Sequence, residues 1–162
     1  MMNAELIDLL QQQVNVELAA AQTYQQLGLL LEYASWEGAA AFFYAQAEEE
    51  REHAMSFARL LMDRGVEPRL TTIMEISDDL RTSDIHKAFR VALELEQNNR
   101  QCIETIARKV RDKDAFDLQD PIGHLLADQQ KEVAEFESKI DVLERIDGDN
   151  GALVAFDQRL KT

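Results

Sequence analysis

Gln46-Ala47-Glu48-Glu49-Glu50-Arg51-Glu52-His53 lies near the middle of a helical pattern running from about Trp36 to Arg64. The stripe through it reads Trp36, Ala39, Phe43, Gln46, Glu50, His53, Phe57, Leu60, so a carboxylate and an imidazole take two consecutive places in a row that otherwise faces a core. Residues at i and i+3 stand one above the other on a helix, and Glu50 and His53 can therefore reach one point in space and share a cation. A hydrogen-bonded pair at the edge of a core is the competing reading of this helix alone. The remaining helices decide between them.

Outward from that stretch the same periodicity recurs. From Asn3 to about Glu32 the stripe is Leu6, Leu10, Gln13, Glu17, Ala20, Tyr24, Leu27, Leu31, and Gly28 inside it admits a close neighbour. Ser35 is placed to cap the second helix, which ends at Asp63-Arg64-Gly65 with Pro68 just beyond. Residues 66–82 carry no sustained helical stripe, although Leu70, Ile73, Met74 and Ile76 are apolar, and their length suits a crossover laid against a bundle. A third helix opens near Ser83 and Asp84 and runs to about Arg111, with Ala88, Val91, Ala92, Leu95, Cys102 and Ile106 on its apolar face. A fourth spans about 117–146, with Pro121 either at its start or one turn in, and a short fifth covers about 152–160. The fold expected is all-α: four long helices at about 3–32, 36–64, 83–111 and 117–146, a long connection between the second and third, and a C-terminal fifth helix, all in one domain spanning 1–162.

The bulk properties narrow the function. A net charge of -14, from 17 Lys plus Arg against 31 Asp plus Glu, opposes binding of nucleic acid or anionic lipid and favours cations. No apolar run approaches the ~18 residues of a membrane span, and there is no signal-peptide pattern, so the expected location is the cytoplasm. The single cysteine, Cys102, excludes an internal disulfide and reads as a core filler.

Helix midpoints supply the chemical argument. They fall at about 17, 50, 97 and 131, and in a bundle of equal helices midpoints share one height whichever way each helix runs. Glu17, Glu50, Glu94 and Glu132 lie at or near them, three on core stripes and Glu94 at the edge of one, a turn from Val91. Four carboxylates in one inner layer, uncompensated, would each cost several kcal/mol to desolvate and would repel one another. Two divalent cations cancel four negative charges, and hard oxygens with one imidazole are the donors of a di-iron site, although zinc or manganese would also accept them.

At this point the sequence resembles the ferritins, specifically the haem-free prokaryotic type, along essentially its whole length. The residues carrying the likeness are Asn15-Val16-Glu17-Leu18, Tyr24, Trp36-Glu37-Gly38-Ala39-Ala40-Ala41-Phe42, Glu49-Glu50-Arg51-Glu52-His53, Leu93-Glu94-Leu95-Glu96-Gln97 and Asp128-Gln129. The resemblance implies a ferritin-like four-helix bundle assembled as a hollow homo-oligomeric shell of twenty-four subunits, which oxidises Fe(II) with dioxygen and stores ferric mineral. It implies that Glu17, Glu50 and His53 hold a first iron and Glu50, Glu94 and Glu132 a second. Tyr24 and Gln129 match residues beside that centre, and Glu49 and Asp128 match part of a third iron position, where Lys131 replaces an expected acid. No haem is expected: Arg51 stands where a haem-binding relative supplies methionine, and Met55 reads as packing. The fourth helix offers no second Glu-x-x-His, which separates the chain from rubrerythrins and bacterioferritins. A di-iron peroxidase of that kind is the alternative, and a helical bundle without activity is the third reading.

Overall fold

A computed structural model describes residues 2–71 and 75–161 of the chain. Among the described residues five α-helices are formed: α1 (Ala4–Tyr33), α2 (Glu37–Met62), α3 (Ile85–Asp112), α4 (Phe116–Arg145) and α5 (Asn150–Leu160). In the crossover between α2 and α3 a 3-10 turn, Asp78–Leu80, is formed among the described residues.

Apolar side chains divide into two cores stacked along the bundle. One joins Leu6 and Leu10 of α1 to Phe57 and Leu61 of α2, Ile103 and Ile106 of α3, and Leu118 and Ile122 of α4. The other joins Leu27 and Leu31 to Ala39 and Phe43, Phe89, and Phe136 and Leu143. The start of α1 thus meets the end of α2, and the start of α3 the end of α4: both pairs are antiparallel. Between the two cores lies a buried polar layer of Gln13, Glu17, Gln46, Glu50, Glu96, Asn99 and Gln129. A Cβ at Gly28 would stand 2.5 Å from the Tyr44 ring, which would have to shift to admit it.

Each helix end has a physical cause. Asn3, Asp84 and Asp149 cap α1, α3 and α5 through side-chain oxygens that accept from backbone N–H groups. Ser35 does not cap α2; at φ 68 it turns the chain out of α1. The capping oxygen of α2 comes instead from α5, where Asp157 Oδ1 accepts from the Ala39 amide at 2.8 Å. Gly65, at φ 73, closes α2 in the left-handed conformation that glycine adopts without penalty. Pro121 falls inside α4. The ring leaves the Asp117 carbonyl without its helical donor, and Arg64 supplies one, Nη2 donating to that oxygen at 3.2 Å.

Polar side chains on the outer face of α1 clip the crossover to the bundle. Gln11 Oε1 accepts from the Arg69 amide at 2.8 Å, Asn15 Nδ2 donates to the Arg69 carbonyl at 3.0 Å, and Asn15 Oδ1 accepts from the Thr71 amide at 2.8 Å. Leu70 in this segment is exposed, while Val66 and Leu80 near its ends pack against the two cores. Ile73 and Met74 lie outside the described residues.

Candidate metal centre

Two groups of side chains in the polar layer bring ligand atoms within 4.8 Å of one another: Glu17, Glu50 and His53, and Glu50, Glu96 and Glu132. Glu50 belongs to both. It is fully buried, and neither of its carboxylate oxygens has a hydrogen-bond partner. Burying a bare carboxylate costs several kcal/mol, a large share of the ~5–15 kcal/mol by which a domain is stable. A fold that keeps such a group has a cation or a proton to offset it. Burial, followed by the nearness of the Glu17 carboxylate, pushes the Glu50 carboxyl well above its usual range. Glu132 is driven up to about 9 by burial and then by Glu96 and Glu17. His53 lies between them, Nδ1 at 3.6 Å from Glu50 Oε1 and Nε2 at 3.3 Å from Glu132 Oε1. With a side-chain exposure of 20 %, it forms the partly open wall of the layer.

The flanking carboxylates are tethered. Glu17 Oε1 accepts from Gln13 Nε2 at 2.8 Å, and Oε2 from Asn99 Nδ2 at 3.0 Å. Glu96 Oε1 accepts from the Tyr24 hydroxyl, and Oε2 from Gln129 Nε2 at 2.5 Å. Burial raises the Glu96 carboxyl to about 7 against the opposing pull of those two donors. The Tyr24 phenol, fully buried beside Glu96, is raised by desolvation and by that neighbouring charge. Two tethered carboxylates thus flank Glu50, whose oxygens no hydrogen bond holds. The donor set, carboxylate oxygens with one imidazole nitrogen, suits hard or borderline divalent metals, and the unsatisfied Glu50 oxygens face both groups.

One expected ligand is misplaced. Glu94 lies on the exposed side of α3, and the buried carboxylate is Glu96. The two are two residues apart, so their side chains leave a helix in nearly opposite directions. The inward row of α3 is Ala88, Ala92, Glu96, Asn99, Ile103, Ile106 and Val110. Leu95 and Cys102, taken from the sequence as part of that face, sit at its margin, and Cys102 is exposed. The row Ala92, Glu96, Asn99, Ile103, at 4-3-4 spacing, sets two polar residues between apolar ones; that spacing is the signal in the sequence, and Asn99 is the member of the row that sequence reasoning misses.

Glu17, Glu50, His53, Glu132, Tyr24 and Gln129 all meet in the layer. Glu49 and Asp128 do not join either group among the described residues: both are exposed, Glu49 Oε2 accepts from Gln46 at 3.3 Å, and Asp128 faces Lys131 at 3.7 Å. His124 sits on the surface, its Nδ1 2.7 Å from the Asp120 carbonyl, and His86 is 4.0 Å from Asp147. Among the described residues no helix is long and apolar enough to cross a membrane.

Comparison with known proteins agrees with this architecture. The ferritin-like domain family model matches residues 7–146. A bacterial non-heme ferritin of Staphylococcus saprophyticus is 32 % identical over 99 % of this chain and 95 % of its own, and one of Staphylococcus aureus is 29 % identical over 100 % and 96 %. In structure, an open pore ferritin from the hyperthermophilic archaeon Archaeoglobus fulgidus superposes with a TM-score of 0.94 at 22 % identity, covering 99 % of this chain and 98 % of that one. An engineered closed form of that archaeal ferritin gives 0.93. A helical bundle of this shape, with carboxylates converging between its two cores and a match along most of its length, belongs to the ferritin family and groups with the prokaryotic haem-free ferritins.

Proposed function

We propose that the protein is a cytoplasmic iron-storage ferritin whose polar layer is a ferroxidase centre. Its substrates are Fe(II) and dioxygen, and its subunits assemble as a shell of twenty-four. The observation that carries this reading is Glu50: a fully buried carboxylate with two unpartnered oxygens, shared by two ligand groups.

In this reading Glu17, Glu50 and His53 hold one Fe(II), and Glu50, Glu96 and Glu132 hold the other. Before iron arrives, protons on Glu50 and Glu132 relieve the repulsion of the layer; binding displaces them. Each Fe(II) gives one electron to dioxygen, a reaction that belongs to the metal and that the protein serves by fixing two ions close together. Carboxylate ligands suit an ion that must leave again as product, where a closed thiolate site would retain it. His53 and Glu132, only partly covered, give the layer its opening. The net charge of -14 favours delivery of cations and retention of a cationic product inside a shell.

Aerobic Fe(II) added to metal-free protein and followed by stopped-flow absorbance, beside sedimentation of the same sample, tests both halves. Rapid oxidation by a large shell supports the reading. Oxidation no faster than in buffer, or a small oligomer, removes the ferroxidase or the storage half respectively.

A further inference from the structure

Beneath the carboxylate layer, Gln13 and Asn99 are buried at 1 % and 4 % exposure, each one helical turn from a carboxylate of the layer, Glu17 and Glu96. Uncharged amides at such depth need a reason, because each carries four hydrogen-bonding sites that an apolar side chain would not. Here both hydrogens of three successive amides are used. Gln13 donates to Glu17 Oε1 and to Asn99 Oδ1; Asn99 Nδ2 donates to Glu17 Oε2 at 3.0 Å and to Gln129 Oε1 at 3.3 Å. Gln129 Nε2 then donates to the Glu96 carbonyl at 3.1 Å and to its carboxylate at 2.5 Å. Carboxylates accept and never donate when ionised, so the two ends of this chain fix which way every amide points.

Asn99 is the joint of the chain. Its one amide nitrogen touches Glu17, which belongs to the first ligand group, and Gln129, which holds the carboxylate of Glu96 in the second. We propose that Asn99 is a positioning residue: by clamping Glu17 and Gln129 to one nitrogen it sets the orientation of a ligand in each group and so couples the two metal positions. The proposal rests on the ferroxidase reading of the layer. Outer partners of ligating groups commonly change metal affinity ~10- to 100-fold when removed, and Asn99 is such a partner to Glu17 directly and to Glu96 through Gln129.

The test is an anaerobic Co(II) titration of the assembled, metal-free protein, read by calorimetry and by the visible d–d bands, for the parent, Asn99→Leu, Gln13→Leu and Glu50→Ala. Leucine keeps the branched shape of Asn99 and removes its hydrogen bonds. Expected for Asn99→Leu is unchanged helix content, a loss of about tenfold or more in affinity at both positions, and displaced d–d bands, which a merely structural role would leave in place. Gln13→Leu is expected to weaken the first position and spare the second. If Asn99→Leu fails to assemble, Asn99→Ala, which removes the same hydrogen bonds without adding bulk, carries the decision: parental affinity and bands in that variant overturn the proposal. Parental affinity and bands in Asn99→Leu, with Co(II) binding abolished in Glu50→Ala, overturn it while leaving the metal reading intact. Parental binding in Glu50→Ala removes the metal reading and the proposal with it.

Discussion

Asp157 Oδ1 accepts a hydrogen bond from the backbone amide of Ala39 at 2.8 Å, so the last helix of the chain caps the second. The approach is close enough that a Cβ on Gly38 would stand 1.7 Å from the Asp157 carbonyl oxygen. Phe156 beside it packs edge-on against Phe89, ring centroids 5.7 Å apart. An 11-residue helix is marginal alone and depends on such docking. Asp157→Ala is expected to cost ~1 kcal/mol, the usual effect of losing a cap. Gly38→Ala is expected to do more, because no side-chain rotation relieves a clash with backbone, and α5 must shift or detach. Amide exchange in residues 150–160 should accelerate in Gly38→Ala. Exchange unchanged from the parent would mean that α5 is held elsewhere.

The correction from Glu94 to Glu96 makes a sharp pair of variants. Glu94→Ala removes an exposed side chain and is expected to leave Fe(II) oxidation and metal stoichiometry as they are. Glu96→Ala removes a ligand of the second group and a partner of Tyr24 and Gln129, and should abolish binding of the second metal. Initial oxidation rates and equilibrium dialysis with Zn(II) distinguish them. Loss of the second metal in Glu94→Ala would contradict the inward row of α3.

Metal-free protein should lose stability as the pH rises. Glu132 titrates near 4.5 when exposed and at about 9 in the fold, so between those values the folded state holds a proton that the unfolded state has released. Stability therefore falls across that window, and above it the full repulsion of the layer is felt. Glu96, raised to about 7, adds to the slope in the lower half. Melting temperatures measured from pH 5 to 9 should decline more steeply for the metal-free parent than for Glu132→Gln. Zn(II) should flatten the parental decline and release protons on binding. Equal slopes in parent and variant would show that Glu132 is not protonated in the empty layer.

Lys131 lies 3.7 Å from Asp128 on the exposed flank of α4, where it neutralises one of the acids that a third metal position would use. Lys131→Glu is expected to change stability by less than about 0.5 kcal/mol, as exposed ion pairs contribute little. It should raise the number of Fe(II) bound per subunit above that of the parent. An unchanged stoichiometry would mean that the geometry of Glu49 and Asp128, rather than the charge of Lys131, excludes the third ion.

The helices were legible because their apolar rows are long; observed ends differ from the expected ones by at most two residues, as for Arg64 against Met62 and Ser83 against Ile85. The convergence of Glu17, Glu50, His53 and Glu132 on one layer was legible because each takes the place of an apolar residue on such a row. Glu96 was not, because α3 alternates Leu93-Glu94-Leu95-Glu96, and that local pattern offers two carboxylates at nearly the same height. Only the longer row from Ala88 to Val110 resolves which one faces inward. The cap of α2 was beyond local reasoning altogether: Ser35 stood in the right place with the right chemistry, while the working oxygen came from Asp157, 118 residues away from Ala39. Gln13 was visible in the α1 row, but its partnership with Asn99 spans two helices and leaves no mark in either pattern.

Anomalous diffraction at the iron edge, from crystals soaked anaerobically in Fe(II), decides whether the buried carboxylate layer takes two ions. Two peaks per subunit are expected: one among Glu17, Glu50 and His53, the other among Glu50, Glu96 and Glu132. A layer without anomalous density, with Glu50 bonded to water or to a protonated neighbour, would contradict that expectation.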